Sequence, residues 1–203
     1  MAPSVHILIP AAGASRRMGG EDKLLQDAGG KALLRRVVET ALATGAPVTV
    51  TLPALDGPRA GVLAGLALRL VAVPDADQGM SRSLARGVAA LLSLHGTEAD
   101  GLMVLPADMP DFTPLALSDL IAAFYRAPDL ILRGATPTGE AGHPVLFPRA
   151  LWPELLTLTG DEGGRSVLQR HADRLRLCAL PGRMALTDLD RPEDWQAWSE
   201  GKS

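Results

Sequence analysis

The sequence predicts an α/β fold in which a mostly parallel central sheet is covered by helices. Short apolar runs alternate with segments of helical spacing, the pattern of strands joined by helical crossovers. One such run, Ile7-Leu8-Ile9, breaks into a small-residue loop that carries Arg16, Arg17 and Lys23. Another, Leu102–Leu105, ends at an acid held between prolines in Pro106-Ala107-Asp108-Met109-Pro110. In open α/β sheets, ligands bind at the carboxyl ends of the strands.

Val5–Ile9 reads as the first strand. Leu33–Thr44 reads as a helix, because Leu33, Leu34, Val37, Val38, Ala41 and Leu42 recur at helical spacing, and Gly45 is placed to stop it. Val48–Leu52 follows as a strand. Leu55–Ala67 is interrupted by Gly and Pro and is compatible with a short helix. Leu70–Val73 is a strand, and Ser81 to Leu94 a helix through Leu84, Val88, Leu91 and Leu92. Leu102–Leu105 is a strand. Thr113 and Pro114 suit the cap and first position of a helix reaching Tyr125. Leu130–Leu132 and Pro144–Phe147 are strands separated by a Gly-rich loop. Leu151–Leu156 and Ser166–His171 suit short helices, Leu175–Leu180 a late strand, and Pro192 the opening of a last helix. No repeat or linker divides the chain, so residues 1–203 are expected to form one domain.

A net charge of −3 provides no basic field for nucleic acid. Of the 20 basic residues only Lys23, Lys31 and Lys202 are lysines, so Lys23 stands out in an Arg-preferring chain. The absence of a signal-like segment or a bilayer-length apolar run gives the expectation of a cytoplasmic protein free of the membrane. Cys178 cannot form an internal disulfide. It lies in a strand-like segment, as a buried structural Cys or as a reactive thiol.

The first loop fails two common nucleotide signatures. Gly13 and Gly19 are not followed by Lys-Ser/Thr, as a Walker A loop requires, and Ser15 and Met18 break G-x-G-x-x-G. Its small residues Ala11, Ala12, Gly13, Ala14 and Ser15 permit close backbone approach to an anion, and Arg17 and Lys23 supply charge. The alternative is a tight surface turn. Asp108 suits a Mg²⁺ ligand, or equally a cap for the turn that follows. Asp188 and Asp190 share a face of an extended segment; Asp190 suits a second ligand or an N-cap for the helix at Pro192. Gly79, Ser81 and Ser83 open a helix whose amides and hydroxyls suit a nucleotide, whereas the simpler reading makes Ser81 a cap. His143, in Gly142-His143-Pro144, is a weak signal that also fits surface structure. No Ser/His/Asp or Cys/His nucleophile is evident, and no zinc spacing, which fits phosphoryl-type transfer.

Taken together, Ala11-Ala12-Gly13-Ala14-Ser15-Arg16-Arg17-Met18-Gly19…Lys23, Gly79-Met80-Ser81-Arg82-Ser83-Leu84, Ala107-Asp108-Met109-Pro110, Gly142-His143-Pro144 and Asp188-Leu189-Asp190-Arg191-Pro192-Glu193-Asp194 resemble the molybdenum cofactor cytidylyltransferases. The resemblance spans residues 7 to 194 and implies a three-layer, Rossmann-like nucleotidyltransferase fold. It implies Mg²⁺-dependent transfer of CMP from CTP to the terminal phosphate of molybdopterin (the molybdenum cofactor), with release of pyrophosphate. Arg17 and Lys23 would grip the triphosphate, the backbone of Ala12–Ser15 would cradle it, and Ser81 and Ser83 would lie near the nucleotide. Asp108 and Asp190 would hold Mg²⁺, and His143 would face the pterin. A molybdenum hydroxylase would receive the product. Ala11-Ala12-Gly13 resembles the cytidylyl enzymes, whereas the guanylyl enzymes usually carry Ala-Gly-Gly. Departures from the family are Ala107 for Gly, Arg191 for Thr, and the turn Thr51-Leu52-Pro53-Ala54-Leu55-Asp56. The competing functions are the same chemistry with GTP or another phosphorylated acceptor, and a non-catalytic carrier of the finished cofactor. The missing G-x-G-x-x-G disfavours a nucleotide-dependent oxidoreductase.

Overall fold

The computed structural model describes residues 4–13, 21–93, 99–160 and 163–200. β1 (Val5–Pro10) is a near-continuous apolar strand, as a strand covered on both faces must be. Ile7 and Ile9 face one helical layer while Leu8 faces the other. β1 runs parallel to β2 (Val48–Leu52) on one side and to β4 (Gly101–Val104) on the other. β3 (Arg69–Ala72) extends the sheet beyond β2. Beyond β4 lies β6 (Ala141–Pro148), which runs antiparallel, then β5 (Ile131–Ala135) and β7 (Leu175–Ala179). The order is β3-β2-β1-β4-β6-β5-β7, with β6 the one reversed strand of the seven. The mostly parallel α/β sheet is as the sequence predicts.

α1 (Leu33–Leu42) and α4 (Pro114–Arg126) cover one face. α1 buries Leu33, Leu34, Val37, Val38 and Ala41 there, each large apolar side chain contributing about 1.5–3 kcal/mol. α1 stops before Gly45, whose φ of 79° suits glycine. Thr113 Oγ1 accepts the Ala116 N–H at 3.2 Å and Pro114 takes the first helical position, as the sequence suggests. α3 (Met80–Leu92), α5 (Trp152–Leu156) and α6 (Arg165–Arg170) cover the opposite face around fully buried Trp152. α2 (Pro58–Gly61) is a single short turn, and α7 (Pro192–Glu200) packs Trp195 and Trp198 on the α1/α4 side.

Three expectations are corrected. Gly142-His143-Pro144, read as a loop preceding the strand, lies inside β6. Its backbone finds partners on both sides: the His143 N–H donates to Ala185 O at 2.8 Å, and Arg133 Nε donates to Gly142 O at 2.8 Å. Ser81 is not the cap of α3. That position belongs to Gly79, whose φ of 113° only glycine adopts readily, and no side chain caps the helix. Cys178 is half-buried rather than buried, because β7 is an edge strand with one face on the core. Burial still pushes its thiol up, partly opposed by Arg126.

Candidate active site

β1 and β4 are parallel neighbours, so the segments following them emerge side by side at one sheet edge. After β1 come Ala11, Ala12 and Gly13; after β4 comes Asp108. Lys23 opens a 3-10 turn, Lys23–Leu25, capped by Asp22, whose Oδ1 accepts the Leu24 N–H at 3.1 Å. From that turn Lys23 Nζ reaches Asp108 Oδ2 and Asp190 Oδ1, each at 2.5 Å. Three residues separated by 85 and 167 positions in the chain meet there.

Asp190 is delivered by the segment preceding α7. The Leu189 N–H donates to Asp108 O at 3.0 Å, and the Leu189 side chain is fully buried, so Asp188 and Asp190 are pinned beside Asp108. The backbone ahead of α7 is tied down from within the helix. Asp194 accepts the N–H groups of Asp190 and Arg191 at 3.1 and 2.8 Å, which leaves the Asp190 carboxylate to face Lys23. Asp108 likewise turns to Lys23, while Thr113 caps α4.

Burial of Lys23 by itself disfavours its charge. The Asp108 charge and the hydrogen bonds to both acids outweigh that cost, so its pKa stands above the usual lysine value. Asp188 is shifted up, first by burial and then by the like charges of Asp108 and Asp190. Asp188 also lines an open groove of about 500 Å³ with Asp111, Arg183 and Trp198. Two carboxylate oxygens close enough to share one ammonium are close enough to share one divalent cation. Their hard oxygen donors suit Mg²⁺ or Mn²⁺, so the residues present fit such an ion.

The other sequence candidates divide. Ala14, Ser15 and Arg17 lie outside the described residues. Ala11 and Ala12 are buried, at the mouth of the loop. Ser81 is fully buried and its Oγ donates to Thr159 O at 3.1 Å; Ser83 is buried too. The Ser81 hydroxyl is thus engaged by the Thr159 backbone across α3. His143 lies near that cluster, and its Nδ1 is buried without a hydrogen-bond partner among the described residues. Burial, then the Arg133 charge, lowers its pKa, while Asp108 partly opposes them.

Arg59 was not anticipated. Its guanidinium, buried under α2, donates from Nε and Nη2 to Asp22 at 2.7 and 2.9 Å. Its Nη1 donates to Ala11 O and Gly13 O at 2.6 and 2.8 Å. The signal available in the sequence was that Arg59 is the sole charged residue between Asp56 and Arg69. A lone Arg in an apolar, Gly-rich stretch must find partners if it is buried.

A mostly parallel sheet that presents a cation and paired acids beyond β1 and β4 places them where open α/β sheets bind nucleotides. The match is specific: a family model described as the MobA-like NTP transferase domain covers residues 7–175, and the chain belongs to that family. The chain is 32% identical over 156 residues to the molybdenum cofactor guanylyltransferase of Rhodopseudomonas palustris (strain BisB5), an alignment covering 74% of this chain and 68% of that protein. The crystal structure of Rv0371c from Mycobacterium tuberculosis H37Rv has a TM-score of 0.79 at 25% identity, covering 98% of this chain and 100% of that one. The Rv0371c complex with manganese has a TM-score of 0.78 at 23% identity, covering 97% and 98% of the two chains.

Proposed function

We propose that this nucleotidyltransferase transfers CMP from CTP to the terminal phosphate of molybdopterin. An acceptor phosphate oxygen attacks the α-phosphorus, the α–β bridging bond breaks, and pyrophosphate leaves. The observation that carries this reading is the convergence of Lys23, Asp108 and Asp190 at 2.5 Å beside the strand-to-loop junction of β1. Two anions must meet in this reaction, and fixed cationic charge offsets their repulsion before attack.

Asp108 and Asp190 would hold Mg²⁺, which when bound supplies charge neutralisation and alignment of the phosphates, with substrate oxygens and water as its other ligands. Manganese bound to the mycobacterial relative supports a divalent ion. Lys23 binds phosphate oxygens, and the two acids hold it charged at neutral pH. Arg17 and the backbone of Ala12–Ser15 complete the triphosphate grip, with Gly79, Ser81 and Ser83 shaping the adjoining wall. His143, neutral at pH 7 because burial lowers its pKa, faces the acceptor. The product would pass to a molybdenum hydroxylase, in the cytoplasm.

CTP is favoured by Ala11-Ala12-Gly13. A second reading, GTP, is favoured by the guanylyltransferase relative. Competition between CTP and GTP for turnover with molybdopterin separates them. Turnover with GTP and not CTP overturns the cytidylyl assignment.

A further inference from the structure

We propose that Arg59 is a positioning residue that closes the base of the phosphate-binding loop and fixes Lys23; this rests on the nucleotidyltransferase reading. The loop's two ends are the strand exit at Ala11–Gly13 and the capped turn at Asp22–Lys23. Arg59 joins them. One edge of its guanidinium makes a two-point fork with the Asp22 carboxylate, and Nη1 binds the carbonyls of Ala11 and Gly13. A planar guanidinium can do this because its donors point in fixed, diverging directions, which an ammonium cannot reproduce.

Each contact has a consequence for the site. Holding the carbonyls of Ala11 and Gly13 fixes two peptide planes where the chain turns toward the anion. Holding Asp22 fixes the cap of the Lys23–Leu25 turn, and so the point from which Lys23 reaches Asp108 and Asp190. The Arg59 side chain is only 8% exposed, so water does not compete for these bonds. The Asp22 carboxylate pairs with its buried charge. Arg59 therefore acts on the reaction through Lys23 and the loop backbone.

The test compares the full chain with Arg59→Gln, Arg59→Lys, Asp22→Asn and the Arg59→Gln/Asp22→Asn double variant. Pyrophosphate release is measured together with amide hydrogen exchange. In Arg59→Gln, kcat is expected to fall roughly 10- to 100-fold, the size of loss that misplacement of a reacting group produces, with KM for the nucleotide changing less. Arg59→Lys restores less than half of the loss because it keeps the charge and not the fork. The double variant is no slower than Arg59→Gln alone, since the two residues form one unit. Amides of Ala11, Leu24 and Leu25 exchange at least tenfold faster, whereas those of α1 and α4 do not change. A kcat within twofold of the parent, full rescue by Arg59→Lys, or faster exchange spread evenly over the sheet would each overturn the proposal. The exchange arm needs no turnover. Inactivity of the parent protein with every nucleotide therefore counts against the transferase reading, and leaves the clamp to be decided by exchange.

Discussion

Lys23 is the residue on which the proposed chemistry turns. Its ammonium is shared by Asp108 and Asp190 at 2.5 Å, a geometry that holds charge ready at the point where phosphates would arrive. Lys23→Ala is expected to reduce kcat/KM for nucleotidyl transfer by about 100-fold or more, as loss of one transition-state cation does, with an unchanged far-ultraviolet spectrum. Asp108→Asn is expected to cost as much, and to raise the divalent-ion concentration needed for half-maximal rate. Pyrophosphate release at varied Mg²⁺ or Mn²⁺ checks both; parent-like rates in either variant refute the assigned roles. The Lys23 pKa lies above its usual value. Its contribution to stability is accordingly complete below the ordinary lysine range and fades as pH rises beyond it, leaving the neutral range unaffected.

At the scale of elements, β6, the acceptor side in the proposed reaction, makes a very close backbone approach. A Cβ on Gly142 would lie 1.9 Å from Ala185 O, on the stretch that leads to Asp188 and Asp190. No rotation of a side chain relieves that clash, because both partners are backbone. Gly142→Ala is thus expected to lower the melting temperature by several degrees, in keeping with the ~1–3 kcal/mol typical of overpacking, and to weaken acceptor use more than nucleotide use. A thermal scan with KM values for both substrates measures it, and equal KM changes for the two would argue against β6 as the acceptor wall.

These elements also show what the sequence could and could not reveal. Periodicity located β1, α1, α3 and α4 because apolar spacing reports burial directly, and Thr113-Pro114 marked a helix start through local chemistry. The Lys23, Asp108 and Asp190 candidates were legible as charge at strand exits. Their contact was not, since residues 85 and 167 positions apart meet only through sheet order and the Leu189–Asp108 backbone bond. The bonds from the Asp194 carboxylate back to the N–H groups of Asp190 and Arg191 follow from its place in the first turn of α7. Arg59 was hidden for the same reason: its partners lie at Ala11, Gly13 and Asp22, far off in sequence. Burial of Ser81 arises from the Thr159 loop across α3, which no local pattern encodes.

For the whole molecule, stability is tied to a buried histidine remote from the site. His6 lies within β1, 6% exposed, with Nε2 2.9 Å from Thr49 Oγ1 on β2. Burial, then the nearby Arg69 charge, lowers its pKa from 6.5 to about 4. The unfolded chain therefore takes up a proton between pH 7 and 5 that the folded one refuses, and stability falls with pH. The loss over that interval is about 2 kcal/mol by linkage. Urea unfolding at the two pH values checks this, and His6→Gln is expected to flatten the slope. An equal slope in the variant would place the pH dependence elsewhere. Among the described residues no helix is long and apolar enough to cross a membrane. The described residues form one seven-stranded sheet, with Lys23, Asp108 and Asp190 gathered beyond β1 and β4.

Pyrophosphate release by the purified protein decides most directly whether that gathering is a transferase site. CTP, GTP, ATP and UTP are supplied in turn with Mg²⁺, with and without molybdopterin. Release with CTP that requires molybdopterin, and disappears in Lys23→Ala, is the expected result. No release with any nucleotide, from folded protein supplied with competent molybdopterin, would contradict nucleotidyl transfer and turn the site toward binding of the finished cofactor.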